Sequence, residues 1–231
     1  MPDPTPTRER GRPRTFDLDE ALDAALQVFW REGFLSASLS DLTAAMGINK
    51  PSLYAAFGDK QALYLAALER YAAQHLGALA QRLDENPDGR AAVHAFLRAL
   101  SALFADPALP GGCFIVNGSA DSGAITMPKP VESALQQALR RNEGLLRARL
   151  ERAAAVGQLP AGRKPAVLAS FFMATVAGMS VMAKNGASRA VLDAVADMAL
   201  TAWDAGPAAS PQPARRAPAR RTAPKHPARL A

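Results

Sequence analysis

A chain of 231 residues, 49% of them apolar, has the length and the apolar content for one or two domains with a packed core, which excludes a chain disordered throughout. No unbroken apolar run reaches the ~18 residues of a membrane span, so none is expected. The leading stretch MPDPTPTRERGRPRTF carries arginines with no apolar segment after them, unlike a signal peptide, and the single cysteine, Cys113, leaves no internal disulfide to form. A cytoplasmic location is expected.

The net charge of +6 is unevenly placed. Asp204 is the last acidic residue, and six of the 27 Lys and Arg residues follow it: Arg215, Arg216, Arg220, Arg221, Lys225 and Arg229. The 21 that remain balance 21 Asp and Glu, so the body is neutral. The excess lies in GPAASPQPARRAPARRTAPKHPARLA, whose Pro, Ala and Arg bias predicts a disordered tail over 206–231. Such a tail is either solubilising or a polycationic arm that holds phosphates without reading sequence.

Nearly all of residues 17–204 carries helical periodicity. Asp17 with Glu20 three residues on reads as a capping arrangement. Leu22, Ala25, Leu26, Phe29 and Trp30 then share one face, and Gly33 is expected to end the first helix. Ser38 with Asp41 starts a short second helix that Gly47 closes. Pro51 opens a third, running to about Phe57, with Gly58 after it. Asp59 caps a long fourth helix whose stripe is Leu63, Ala67, Leu68, Tyr71, Leu76, Leu79 and Leu83.

ENPDG at 85–89 is the first clear break. A fifth amphipathic helix follows through Val93, Leu97, Leu100 and Phe104. After DPALPGG comes CFIVNGSADSGAI at 113–125, then a charged helix over 131–156. Residues 166–183 are apolar on nearly every side, so that helix needs cover all round. A last helix runs over about 189–203. The only strand-like run, CFIVN, would stand alone, and lone strands do not persist. The fold class is all-α, with about nine helices: three small ones first and a larger bundle after.

Two short helices joined at a glycine make a helix-turn-helix within SLSDLTAAMGINKPSLYAAF. Leu42, Ala45, Ile48, Leu53 and Phe57 are its inward positions. Lys50, Ser52, Tyr54, Ala55 and Ala56 are outward. Proline in a first helical turn costs little, because the N–H it lacks has no helical partner there. The free N–H groups of that turn suit a phosphate. The small residues Ala55 and Ala56 let the helix sit close to a groove floor, and Tyr54 offers a hydroxyl to phosphate or a ring to a thymine methyl. The alternative is a helical hairpin whose tyrosine only packs on a neighbour.

Residues 17–71 resemble the DNA-binding domain of the TetR/AcrR family of transcriptional regulators. The stretches ALDAALQVFWREGF, SLSDLTAAMGINKPSLYAAFGDK and ALYLAALERY carry the likeness, with Gly47, Ser52-Leu53-Tyr54, Phe57 and Lys60 on the family pattern. The resemblance implies a larger C-terminal domain over 72–205 that binds a small-molecule effector. It also implies a homodimer in which the helices near 166–183 and 189–203 pair with a second subunit, and a palindromic double-stranded DNA operator as partner. Lys50, Pro51, Ser52, Tyr54 and Ala56 fall where the family's recognition helix meets DNA. Ser38 and Ser40 fall where the positioning helix holds phosphates, and Lys60 where the fourth helix contacts one. Ala56 departs from the family, in which many members carry a larger polar residue there, so base readout on this helix is sparse. That turns attention to residues 1–16, a basic arm in which Gly11-Arg12-Pro13-Arg14 resembles an AT-hook whose Arg12 and Arg14 enter a minor groove. A solvated leader is the plain alternative.

Cys113 follows two glycines. It reads either as a buried structural cysteine or as a sensor whose thiolate the free N–H groups of a helix start would stabilise. In several proteins that resemble this one, a Gly-Cys at this point lies near the effector pocket. The expected pocket walls are Phe96, Leu100, Phe104, Phe114, Val116, Phe172, Met173 and Val176, with Asn117 as a polar handle. Met127, Met173, Met179 and Met182 are scattered, and His75, His94 and His226 show no ligand spacing, so no metal and no cofactor is expected. The reading is a dimeric, sequence-specific DNA-binding regulator of repressor type, released by a small-molecule, electrophile or oxidant signal at the C-terminal domain. It binds no membrane and sits on the nucleoid when bound to DNA. An architectural DNA-binding protein relying on arm and tail is the alternative, and a Cys113-dependent enzyme the remote one, since no Cys-His-Asp arrangement, phosphate loop or metal motif is visible.

Overall fold

The structure, a computed structural model, describes residues 16–204, and every regular element within them is helical. The order is α1 (Leu18–Ser36), α2 (Leu39–Met46), α3 (Lys50–Phe57), α4 (Lys60–Tyr71), a π-helical segment (Ala72–Leu76), α5 (Gly77–Glu85), α6 (Gly89–Phe104), α7 (Phe114–Ser119), α8 (Lys129–Ala155), α9 (Pro165–Lys184) and α10 (Arg189–Asp204). α4, the π segment and α5 run on without a loop, so the fourth expected helix is one rod over 60–85. Counted that way, the described residues hold the nine helices expected.

Local chemistry accounts for the helix starts. The Asp17 carboxylate accepts from the N–H groups of Asp19 at 2.7 Å and Glu20 at 3.2 Å. Ser38 and Asp41 make a complete capping box: the Asp41 N–H donates to Ser38 Oγ, and the Ser38 N–H to Asp41 Oδ2. Gly33 ends the regular part of α1 as expected: at φ 80° and ψ 174° it is not helical, and the residues on to Ser36 lie beyond the kink it makes. Ala45, expected inward, is exposed, and Thr43 and Met46 are buried beside Leu42 instead.

α1 packs on α2 and α4, and α5 on α6, so the rod changes partners across the π segment. α8, α9 and α10 complete the bundle, and α7 lies between α1 and α8. One continuous core joins the two ends, with Trp30, Tyr64, Tyr71, Phe104, Phe114 and Phe172 fully buried. α9 is long and apolar enough to cross a membrane, the one such helix among the described residues. The expectation of no such run passed over it because Ser, Thr and Gly interrupt its large apolar residues without adding charge. It packs against α8, α10, α6 and α7 and leaves Val167, Phe171 and Val181 exposed.

Candidate functional site

Two regions carry chemistry. The first is the exposed edge of α2 and α3. Ser40, Lys50, Pro51, Tyr54 and Ala55 are exposed there, Ser52 and Ala56 are half-buried, and Leu53 anchors α3 inward. Tyr54, 48% exposed, is the one large hydrophobic side chain exposed on this face. The first turn of α3 offers less to a phosphate than expected. Asn49 caps it, taking the Ser52 N–H at 2.8 Å, and Pro51 has no N–H, which leaves that of Lys50. Ser38 is exposed, yet its hydroxyl is engaged in the capping box with Asp41. The Lys60 ammonium is turned inward, 4.7 Å above the Phe34 ring and 3.5 Å from the Leu35 carbonyl at the end of α1, and burial lowers its pKa. A lysine so placed holds α4 on α1. Arg12 and Arg14 lie outside the described residues.

At the other end of α4, Arg70 donates to both carboxylate oxygens of Asp23 at 2.8 Å and to Asp19 at 2.9 Å. The Gln74 amide also donates to Asp23. The Arg70 hydrogen bonds hold the Asp23 carboxyl below its ordinary pKa. α1 and α4 are thus pinned to each other near both ends.

The second region is the core around Cys113, which caps α7 and is buried. Its Sγ accepts from the Tyr71 hydroxyl of α4 at 3.3 Å, and its N–H donates to Ser180 Oγ of α9 at 2.8 Å. Ser180 in turn donates to Asn117 Oδ1, and the Asn117 amide donates to the Gly111 carbonyl. The handle expected of Asn117 is therefore spent inside the protein. Gly112 makes this closeness possible: at φ +66° a Cβ there would lie 2.5 Å from the Ser180 carbonyl oxygen. Burial raises the Cys113 pKa, against the lowering by Tyr71 and by the N–H groups of Val116 and Ile115. The expected stabilised thiolate is corrected here to a neutral thiol, because loss of water outweighs three weak donors.

Phe114 sits among Tyr64, Tyr71 and Trp30 at centroid distances of 5.2, 5.5 and 6.5 Å, and Trp30 meets Tyr71 edge-on at 4.8 Å. Each such pair adds about 0.5–1.5 kcal/mol beyond its area. The hydroxyl of Tyr64 and the indole N–H of Trp30 are buried without a partner. His75, inside the π segment, lies 5.4 Å from Trp30 and 5.3 Å from Tyr71, and burial lowers its pKa. Of the expected pocket walls, Leu100, Phe104, Phe114, Phe172 and Val176 are buried in this core, while Phe96, Val116 and Met173 pack at its margin. Sequence reasoning missed Tyr71 and Ser180 as partners of Cys113, and Trp30, Tyr64 and His75 as members of the aromatic cluster beside it. For Tyr71 the available signal was its place on the core stripe of the fourth helix.

α9 and α10 together present an apolar groove of about 470 Å³ lined by Phe171, Thr175, Val191, Val195 and Met198. Met198 is 71% exposed on it. Among the described residues no cluster of three His, Cys, Asp or Glu is placed to hold a metal ion.

Residues 21–67 match the family model described as bacterial regulatory proteins, tetR family, and residues 89–199 match the Tetracyclin repressor-like, C-terminal domain. The HTH-type transcriptional repressor ComR of Escherichia coli (strain K12) is 35% identical over 204 residues, covering 85% of this chain and 93% of that protein. Among solved structures, the TetR family transcriptional regulator CifR, a cysteine mutant complexed with a 26-bp operator DNA, is 40% identical with a TM-score of 0.77, over 83% of this chain and 100% of that one. The reduced form of E. coli NemR is 26% identical with a TM-score of 0.66, over 78% and 94%.

Proposed function

The chain belongs to the TetR family of transcriptional regulators, DNA-binding proteins and not enzymes, and from that premise we propose a homodimeric repressor released by a small molecule read at the Cys113 core. The observation that carries the reading is the bond sequence Tyr71–Cys113–Ser180, in which one buried residue touches both the rod behind the DNA-binding helices and the apolar helix α9. A change at that thiol alters a contact of the rod directly.

The DNA-binding unit is residues 17–71, and 72–205 the effector and dimer domain. α3 enters a major groove with Lys50, Pro51, Tyr54 and Ala55 toward the bases, while Ser40 and the Lys50 N–H face phosphate. Two such helices must sit about 34–36 Å apart to reach successive grooves of a palindrome. The exposed apolar surface of α9 and α10 supports their pairing with a second copy, since a monomer would leave that groove to water. The protein acts in the cytoplasm, on the nucleoid when bound.

Cys113 is buried in an apolar core, which admits an uncharged, apolar electrophile more readily than peroxide, a polar molecule that would lose its hydrogen bonds to water on entry. CifR, described as a cysteine mutant, supports a thiol-based signal, and NemR, described in a reduced form, is in keeping with a redox-responsive one. Addition of the Cys113 thiol across an activated C=C bond forms one S–C bond. The thiol proton passes to the α-carbon, and nothing leaves.

The test uses an operator duplex selected from a random library and fluorescence anisotropy. Methyl vinyl ketone should weaken binding of the parent protein by about 5–150-fold, the range of such couplings, and leave Cys113→Ser tight. Equal loss in both proteins, or loss in neither, removes Cys113 from the mechanism.

A further inference from the structure

A second groove, of about 390 Å³, lies between α5, α6 and α10, away from Cys113. Its apolar floor is Leu79, Ala95, Ala99 and Ala102, and three arginines line it, one from each helix: Arg82, Arg98 and Arg189. Arg98 pairs with Asp193 at 3.2 Å and Asp197 at 3.4 Å, and Arg189 reaches Asp193 at 3.7 Å. Arg82 is exposed, with no carboxylate within ion-pair distance among the described residues.

Three guanidinium groups against two carboxylates leave one positive charge. A guanidinium presents a planar fork of donors that matches a carboxylate bidentately. The alanines keep the floor open and offer a polar body nothing to bond. Volume, floor and charge suit a small monoanion with an apolar body. We propose that this groove binds a small organic carboxylate, held by Arg82 at its charged end and lying on the alanine floor. A dianion such as phosphate would exceed the charge available and leave the floor unused. The ligand would bridge α5, the far half of the rod, to α6 and α10, and so would be an input separate from the thiol.

The full-length protein is titrated calorimetrically at low salt with benzoate, hexanoate, benzamide and inorganic phosphate. Benzoate or hexanoate should bind about tenfold or more tighter than benzamide or phosphate, as a charge-assisted pair with an apolar partner requires. Arg82→Gln should weaken carboxylate binding about fivefold or more. Ala95→Leu should fill the floor and abolish it, while Cys113→Ser should bind as the parent does. Arg82 is exposed, so its variant keeps the test open should Ala95→Leu fold poorly. The proposal is overturned by no saturable binding of either carboxylate, by benzamide or phosphate binding as tightly, or by parent-like binding in Arg82→Gln.

Discussion

Gly112→Ala tests the geometry of the Cys113 core. Two costs arise, and the structure separates them. The residue sits at φ +66°, where an L side chain meets its own backbone, at about 1–2 kcal/mol. Its new Cβ would also fall 2.5 Å from the Ser180 carbonyl oxygen and 2.9 Å from Ser180 Oγ. A backbone oxygen in a packed helix cannot turn aside as a side-chain tip can, so an overpacking cost of about 1–3 kcal/mol adds to the first. The expected loss is about 2–5 kcal/mol, a large part of a typical domain's ~5–15 kcal/mol. Gly47→Ala is the control. It has the same sign of φ, +65°, with nothing within 4 Å of the added Cβ, so it carries the conformational cost alone. Urea unfolding followed by far-UV circular dichroism at one fixed chain concentration compares them, because a dimer's midpoint moves with concentration. Should Gly112→Ala be no worse than Gly47→Ala, the close approach of the 111–113 turn to α9 is wrong, and with it the Cys113–Ser180 bond.

Tyr54→Ala should weaken operator binding about tenfold or more, with the melting temperature unchanged, since Tyr54 is 48% exposed; anisotropy and thermal unfolding check the two parts. His75 has its pKa lowered by burial, so between its folded and unfolded pKa values the unfolded chain binds the proton and the native one does not. Stability is then complete above about pH 6.5 and falls as pH drops through the folded value; in urea titrations from pH 8 to 5.5 His75→Gln should flatten that fall. Deleting residues 206–231 removes six basic residues, so the slope of log affinity against log salt should become shallower, by no more than about 5, with preference for the operator over random DNA retained.

The helix boundaries were legible where their causes are local. Ser38 and Asp41 stand three residues apart and satisfy each other, and Pro51 can only open a helix, so the helix-turn-helix could be read from its own residues. What could not be read depends on distant neighbours. The Cys113 thiol is set by Tyr71, 42 residues before it, and its N–H by Ser180, 67 residues after, and the burial they create reverses the pKa shift that the helix start alone suggests. Lys60 fits a phosphate contact on its helix, yet Phe34 and the end of α1 take its ammonium. The π segment does leave a mark in the stripe: Leu68 to Tyr71 and Leu76 to Leu79 are steps of three, but Tyr71 to Leu76 is a step of five, longer than an α-helical stripe takes.

These pins bear on how a signal can travel. α4 is held to α1 near one end by Lys60 against Phe34 and the Leu35 carbonyl, and near the other by Arg70 forked onto Asp23. A tilt of α4 alone would break a bidentate pair and expose Trp30 and Tyr64, both fully buried. Release by that route would cost more than the 1–3 kcal/mol typical of coupling between sites. A signal of the proposed kind would therefore move α1 through α4 together, with the displacement falling where the rod exchanges α1 for α6 as its support. That place is the π segment, where one residue more per turn than an α-helix weakens the ladder. Tyr71, the donor to Cys113, is the residue immediately before it. On the proposed reading, a substituent on the thiol would act at the one point of the rod already out of α-helical register, with no need to strain α1 through α4.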